Sequence, residues 1–153
     1  MTLSISTQTD TLATFINAAH ALVDEAKIRA TDDGLTITAV EAANVAMVDE
    51  SLPGGAFESY SVESDTVLGV NLSRLADILG MADGDDVWHI HEQDRKIIMQ
   101  SGGLEYTMAT IDPDSIRQEP DIPDLEIPAT AHIEWQRVDR ALRAADMVSD
   151  HVS

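Results

Sequence analysis

The chain has 153 residues, 44% hydrophobic and 4% aromatic, with 28 acids against 9 basic residues and a formal charge of −19. That length can bury the core of one domain or a little more. No apolar run approaches a membrane span and no charged-then-apolar leader opens the chain, while the absence of cysteine excludes disulfides and thiolate chemistry, so a cytoplasmic protein is expected.

Strong acidity is a mark of disorder, but the hydrophobic content and the periodicity below oppose that reading. An ordinary acidic domain and a halophile's protein remain. The balance favours the halophile, because multimolar salt screens the self-repulsion of an acidic fold within about 3 Å.

Leu3 and Ile5 alternate with serines, giving a first strand. Residues 7–10 offer N-cap candidates. Leu12, Phe15, Ile16, Ala19, Leu22 and Val23 then recur at helical spacing, so residues 10–23 are predicted as an amphipathic helix. Residues 25–30 form a short strand with Ile28 inward, and Asp32-Asp33-Gly34 is a hairpin signal leading to a strand with Leu35, Ile37 and Ala39 on one face. Residues 45–52 read as another strand, closed by Pro53-Gly54-Gly55.

Two further strands are predicted at 57–61 and 66–71. Leu72, Leu75, Ala76, Ile78 and Leu79 then share a helical face between an Asn71 cap and a Gly80 stop. Strands over 87–91, 96–100 and 104–111 follow, separated by turns at 93–95 and 101–103. Residues 111–128 hold four of the five prolines, so neither helix nor ladder can form there. Yet Ile111, Ile116, Ile122, Leu125 and Ile127 recur through it, which predicts an extended strap laid across a surface. Residues 129–135 read as a strand and 136–146 as a third helix.

The order strand, helix, meander of strands is written twice and begun a third time. Leu12-x-x-Phe15-Ile16, Leu72-x-x-Leu75-Ala76 and Val138-x-x-Ala141-Leu142 line up as a weak internal repeat. The fold class is α+β: two strand–helix–meander repeats, with helices on one face of antiparallel sheets, followed by an incomplete second domain. The third repeat lacks a partner sheet, so the fold is expected to be longer than this chain. The predicted domains are 1–111, a connecting loop at 112–128, and the start of a second domain at 129–153.

Catalytic chemistry finds no foothold. There is no phosphate loop, nucleophile elbow or zinc spacing. His89 and His91 lie on one face of a predicted strand, but a metal site needs further converging ligands, and a solvent face with Trp88 and Ile90 inward is the better reading. Among 28 acids, chance carboxylate pairs are expected, so none marks an acid/base site. No metal, no cofactor and no enzymatic activity are expected. Val40, Val45 and Met47 flank the loop at 41–44 and either form a partner patch or complete the core; spacing leaves both open.

Specific segments carry a resemblance. They are Asp33-Gly34-Leu35-Thr36-Ile37-Thr38-Ala39-Val40, Ala43-Asn44-Val45-Ala46-Met47-Val48, Gly69-Val70-Asn71-Leu72, residues 104–120 and Ala144-Ala145-Asp146-Met147-Val148-Ser149-Asp150-His151. Over the whole chain the sequence resembles the sliding clamps of archaea and eukaryotes, the PCNA family, of the haloarchaeal type. The resemblance implies a DNA polymerase processivity factor. It is a homotrimeric ring around duplex DNA, loaded by replication factor C, that tethers DNA polymerase and other proteins through their PIP-box motifs. It implies a partner pocket at Val40, Asn44, Val45, Met47, Leu125, Ile127 and Pro128. It places a subunit-interface strand at Tyr106, Thr107, Met108, Ala109, Thr110 and Ile111.

DNA-facing helix positions would be His20, Arg74, Asp77, Arg140 and Arg143. Many clamps carry lysines on those helices; here His20, Asp77 and Gly80 stand in their place, so encirclement rather than phosphate attraction is expected to hold DNA. The competing readings are an acidic DNA mimic or other non-catalytic binding module of a halophile, and an acidic hydrolase. A mimic needs acids in rows at phosphate spacing, whereas these scatter over loops and turns.

Overall fold

A computed structural model describes residues 2–119, 121 and 126–150. It divides into two compact units, residues 1–120 and 121–153. Nine strands and two helices build the described first unit: β1 (Leu3–Gln8), α1 (Thr9–His20), β2 (Glu25–Thr31), β3 (Gly34–Val40), β4 (Met47–Pro53), β5 (Ser59–Val62), β6 (Thr66–Asn71), α2 (Leu72–Leu79), β7 (Val87–Gln93), β8 (Lys96–Ser101) and β9 (Leu104–Ala109).

All pairings are antiparallel, but the two repeats exchange their first strands. β1 opens the first repeat yet lies in the five-stranded sheet β5-β1-β7-β8-β9. β6 opens the second repeat yet closes the four-stranded sheet β4-β3-β2-β6. Periodicity identifies a strand's buried face but not its neighbour, so this exchange was illegible in the sequence. The inner faces of both sheets join the helices in one apolar cluster. Ile5, Ile28, Ile37, Val70, Trp88 and Met99 come from strands, and Leu12, Phe15, Ile16, Leu72, Leu75 and Leu79 from the helices. α1 packs against α2.

Hairpin turns obey their local chemistry. Two-residue loops follow Thr31, Gln93 and Ser101; Asp94 and Arg95 stand at φ 52 and 61, and Gly102 and Gly103 at 55 and 84. Left-handed pairs of this kind match the twist of a hairpin. Asn71 caps α2 as expected, accepting from the Arg74 N–H at 2.9 Å. Gly80 ends that helix in a right-handed conformation, φ −68, so no left-handed cap forms.

Several boundaries differ from expectation by a few residues, among them both ends of α1 and the start of β4. α1 stops at His20, because Leu22 and Val23 turn back to bond the Ala19 carbonyl. Its start has no side-chain cap. Instead the Thr9 and Asp10 N–H groups donate to the carbonyls of Asp86 and Gly84, 2.9 and 3.0 Å away, a tertiary cap that local sequence cannot reveal. β4 begins at Met47 rather than at residue 45, because residues 41–46 close on themselves as a loop.

In the second unit, the strand predicted at 129–135 is absent. A strand needs a ladder partner for its backbone groups, and among the described residues nothing pairs with 129–134. The helix is present as α3 (Trp135–Asp146). It buries none of its residues, and Ile133, Trp135, Leu142, Met147 and Val148 are exposed in and around it. No helix among the described residues is long and apolar enough to cross a membrane.

Candidate partner-binding site

The site is built where the strap leaves β9 and crosses the outer face of the four-stranded sheet. The Ile111 N–H donates to the Gly69 carbonyl at 2.8 Å. A Cβ at Gly69 would lie 2.3 Å from the Ile111 oxygen and 2.9 Å from the Ile116 side chain, so only glycine admits the strap there. Asp112 then accepts from the Asp114 N–H at 3.0 Å and opens a tight turn at Pro113–Ser115. That turn lowers Ile116 onto the sheet, where it is 8% exposed.

Beyond Ile116 the strap is clamped by charge. Glu119 pairs with Lys27 at 3.2 Å and with Arg29. These cations alternate along β2 with Ala26, Ile28 and Ala30, which face the core. Partial burial pushes the Glu119 carboxyl up, but hydrogen bonds from its own backbone, Arg29 and Lys27, with the Arg29 charge, outweigh it and leave the pKa lowered.

Between these anchors Arg117 reaches outward to the loop at 41–46. It donates to the Ala42 carbonyl at 3.0 Å and to the Asn44 side-chain oxygen at 2.7 Å. The loop is also tied internally. The Glu41 carboxylate accepts from the N–H groups of Val45 and Ala43 at 2.8 and 3.0 Å, and those bonds hold its pKa below the usual range. The Glu41 N–H bonds the Ala46 carbonyl, closing the loop at its neck. Asn44 takes the left-handed conformation, φ 59, that a tight reversal requires.

This closed loop carries an exposed apolar bowl lined by Val40, Asn44, Val45, Ala46 and Met47. Val45 is 84% exposed and Met47 38%, so these residues do not complete the core. The choice that spacing left open is thereby decided for a surface patch. The structure thus brings together Val40, Asn44, Val45 and Met47. Ile127 and Pro128 belong to the second unit and are exposed; Leu125 lies outside the described residues.

The other predicted site residues are spread over the molecule. Tyr106, Thr107, Met108 and Ala109 lie on β9, the last strand of its sheet, with one side unpaired among the described residues. Met108 turns its side chain into the core and is 4% exposed, so it is not a surface residue. Thr110 and Ile111 have already left the strand, their N–H groups taken by Arg95 and Gly69 carbonyls. His20 ends α1 with Nδ1 3.2 Å from the Val23 oxygen. Arg74 and Asp77 are exposed on α2. Arg140 and Arg143 lie on α3, where Arg143 pairs with Asp139 at 2.9 Å. His89 is exposed beside Ser6 with Trp88 and Ile90 buried, as expected, and no group of candidate metal ligands assembles among the described residues.

Lys27, Arg29, Glu119, Arg117, Glu41 and Gly69 were not singled out as site residues. One signal was available: Lys27 and Arg29 are same-face cations in a chain with only nine basic residues, and such groups need an anionic partner when covered.

Duplicated strand–helix–meander repeats with exchanged first strands, a strap and an apolar bowl define a domain of the DNA-clamp fold. Residues 4–102 match the family model of the proliferating cell nuclear antigen N-terminal domain, and the chain belongs to that family. It is 53% identical over 146 residues to the DNA polymerase sliding clamp of Natronomonas pharaonis, and 54% identical over the same length to that of Halobacterium salinarum. Each match covers 94% of this chain and 59% of the relative, so the chain spans about three fifths of the length of those proteins. A solved structure of A. fulgidus PCNA with the C-terminal region of FEN-1 bound matches at TM-score 0.91 and 36% identity, over 97% of this chain and 61% of that one.

Proposed function

We propose that this chain works as part of a DNA polymerase sliding clamp, a non-catalytic tether that encircles duplex DNA and holds partner proteins by short peptide motifs. The observation that carries the reading is the braced bowl: Val45 and Met47 stand exposed in and beside a loop that Glu41 closes and to which the strap's Arg117 is bonded. A folded protein presents such a patch when something is to cover it. The relative with FEN-1 bound supports a peptide as that cover. In this reading residues 1–111 are one clamp domain, and 112–128 connect it to a second beginning at 129. The β9 edge would meet a second subunit in a closed trimer, and replication factor C and DNA polymerase would be among the partners.

The helices bear on how DNA would be held. Exposed positions of α1 and α2 include Asp10, Arg74 and Asp77, a mixed set with no excess of cations. Counterion release by phosphate pairing also fades as salt rises, whereas a closed ring is held by topology. In this reading, encirclement holds DNA.

A labelled peptide of the FEN-1 C-terminal region, titrated into the chain at high salt, tests the proposal. Wild type is expected to bind, and Val45→Ser with Met47→Ser is expected to weaken binding at least about tenfold, the effect of burying two fewer apolar side chains. The circular dichroism of the two proteins should coincide. Undiminished binding by the double variant would place the peptide elsewhere. The same preparation is expected to bind linear duplex DNA weakly at moderate salt; tight, steeply salt-dependent binding would contradict retention by encirclement.

A further inference from the structure

Arg117 sets which way the Asn44 amide faces. A guanidinium only donates hydrogen bonds, so the amide atom 2.7 Å from it is the oxygen. The Asn44 NH2 group is therefore turned away from the strap. The guanidinium cannot swing away freely, because its other nitrogen holds the Ala42 carbonyl and its chain is anchored on either side, by buried Ile116 and by the Glu119 clamp. The loop backbone is fixed independently through Glu41.

We propose that Arg117 is a positioning residue for partner binding: it locks Asn44 as a hydrogen-bond donor at the rim of the apolar bowl. A bound peptide must bring an acceptor to that point. Its chemistry is a neutral oxygen, a backbone carbonyl or a side-chain amide, because a carboxylate would be repelled by a chain whose formal net charge is −19. The inference rests on the peptide-tether reading. It goes further by naming the polar group that the partner must supply and the residue that dictates it.

The test uses the same FEN-1 peptide and the whole chain. Asn44→Asp keeps an acceptor for Arg117 but loses the NH2 donor, and is expected to bind about fivefold to tenfold more weakly, the effect of one hydrogen bond. Arg117→Ala is expected to weaken binding about threefold by freeing the amide, but to have no further effect in an Asn44→Ala background, because Arg117 acts through Asn44. Equal affinity of wild type and Asn44→Asp, or additive losses in the double variant, would overturn the proposal. If wild type binds no peptide, the tether reading fails instead. The amide orientation is then decided by NMR, where the Asn44 side-chain NH2 signals are expected to shift on Arg117→Ala, and unchanged signals would overturn it.

Discussion

Glu119 and Glu50 face opposite fates. Glu119 meets two cations, one of them only 8% exposed. Glu50 turns inward from β4 with one carboxylate oxygen buried and unpartnered among the described residues. Burial pushes its pKa up, partly offset by the Ala19 backbone. The charged form of Glu50 thus costs stability at neutral pH, and protonation relieves that cost. For Glu119 the sign is reversed. Its pKa is lowered, so its contribution is full above the unfolded value of about 4.3 and is lost as pH falls through the folded value. Glu119→Gln is expected to destabilise the fold by about 1–2 kcal/mol at neutral pH, because it leaves Lys27 covered without its counter-charge. Urea midpoints taken across pH should show this difference shrinking below about pH 4; a gap that persists in acid would mean the ion pairs contribute little.

The strap is the element whose character changed most between sequence and structure. Its prolines forbade helix and ladder, and its isoleucines required a surface beneath it. The surface inference holds for residues 111–119, and the exclusion of helix and ladder holds there apart from one 3-10 turn at Pro113–Ser115 and a single bridge from Ile111 to Gly69. What composition could not supply is the address. The strap docks on the outer face of β2 and β6 because Gly69 leaves room for Ile111 and because Lys27 and Arg29 await an acid there. Gly69 belongs to a core strand by pattern, and nothing in that pattern shows that a second backbone passes over it. Gly69→Ala is expected to cost about 1–3 kcal/mol by overpacking and to lift the strap. Hydrogen exchange at the Ile111 amide reads this directly: faster exchange is expected, and full protection would show that the strap accommodates a methyl group. Because Arg117 is carried on this element, lifting it should also release the Asn44 side chain, while Glu41 keeps the loop backbone closed.

At the scale of the molecule, charge dominates. A formal −19, which is what remains after all nine cations including Lys27 and Arg29 are counted, repels itself over the surface. Raising salt shortens the screening length from about 10 Å at 0.1 M to about 3 Å at 1 M. The thermal midpoint of the chain is therefore expected to climb steadily between about 0.1 M and about 2 M KCl. A midpoint independent of salt would show that the acids are spaced widely enough to need no screening. The relatives from Natronomonas pharaonis and Halobacterium salinarum carry the sequence likeness into haloarchaea, the setting that the acidity had suggested.

Local rules reached far in this chain. Hairpin residues, the Asn71 cap and two periodicities located both helices of the first unit and all nine of its strands, since each depends on contacts within a few residues. The bowl residues Val40, Val45 and Met47 were visible as candidates, but spacing could not say whether they faced in or out. Exposure of Val45 at 84% answered that, and exposure is a property of the whole fold. The segment at 129–134 shows the converse: its alternation suited a strand, yet a strand exists only with a partner beside it. The exchange of β1 and β6, the backbone cap on α1, the Glu119 clamp and the Arg117–Asn44 brace lay beyond local reasoning for the same reason. Each joins residues tens of positions apart, and only the closing of the chain on itself decides which distant groups meet.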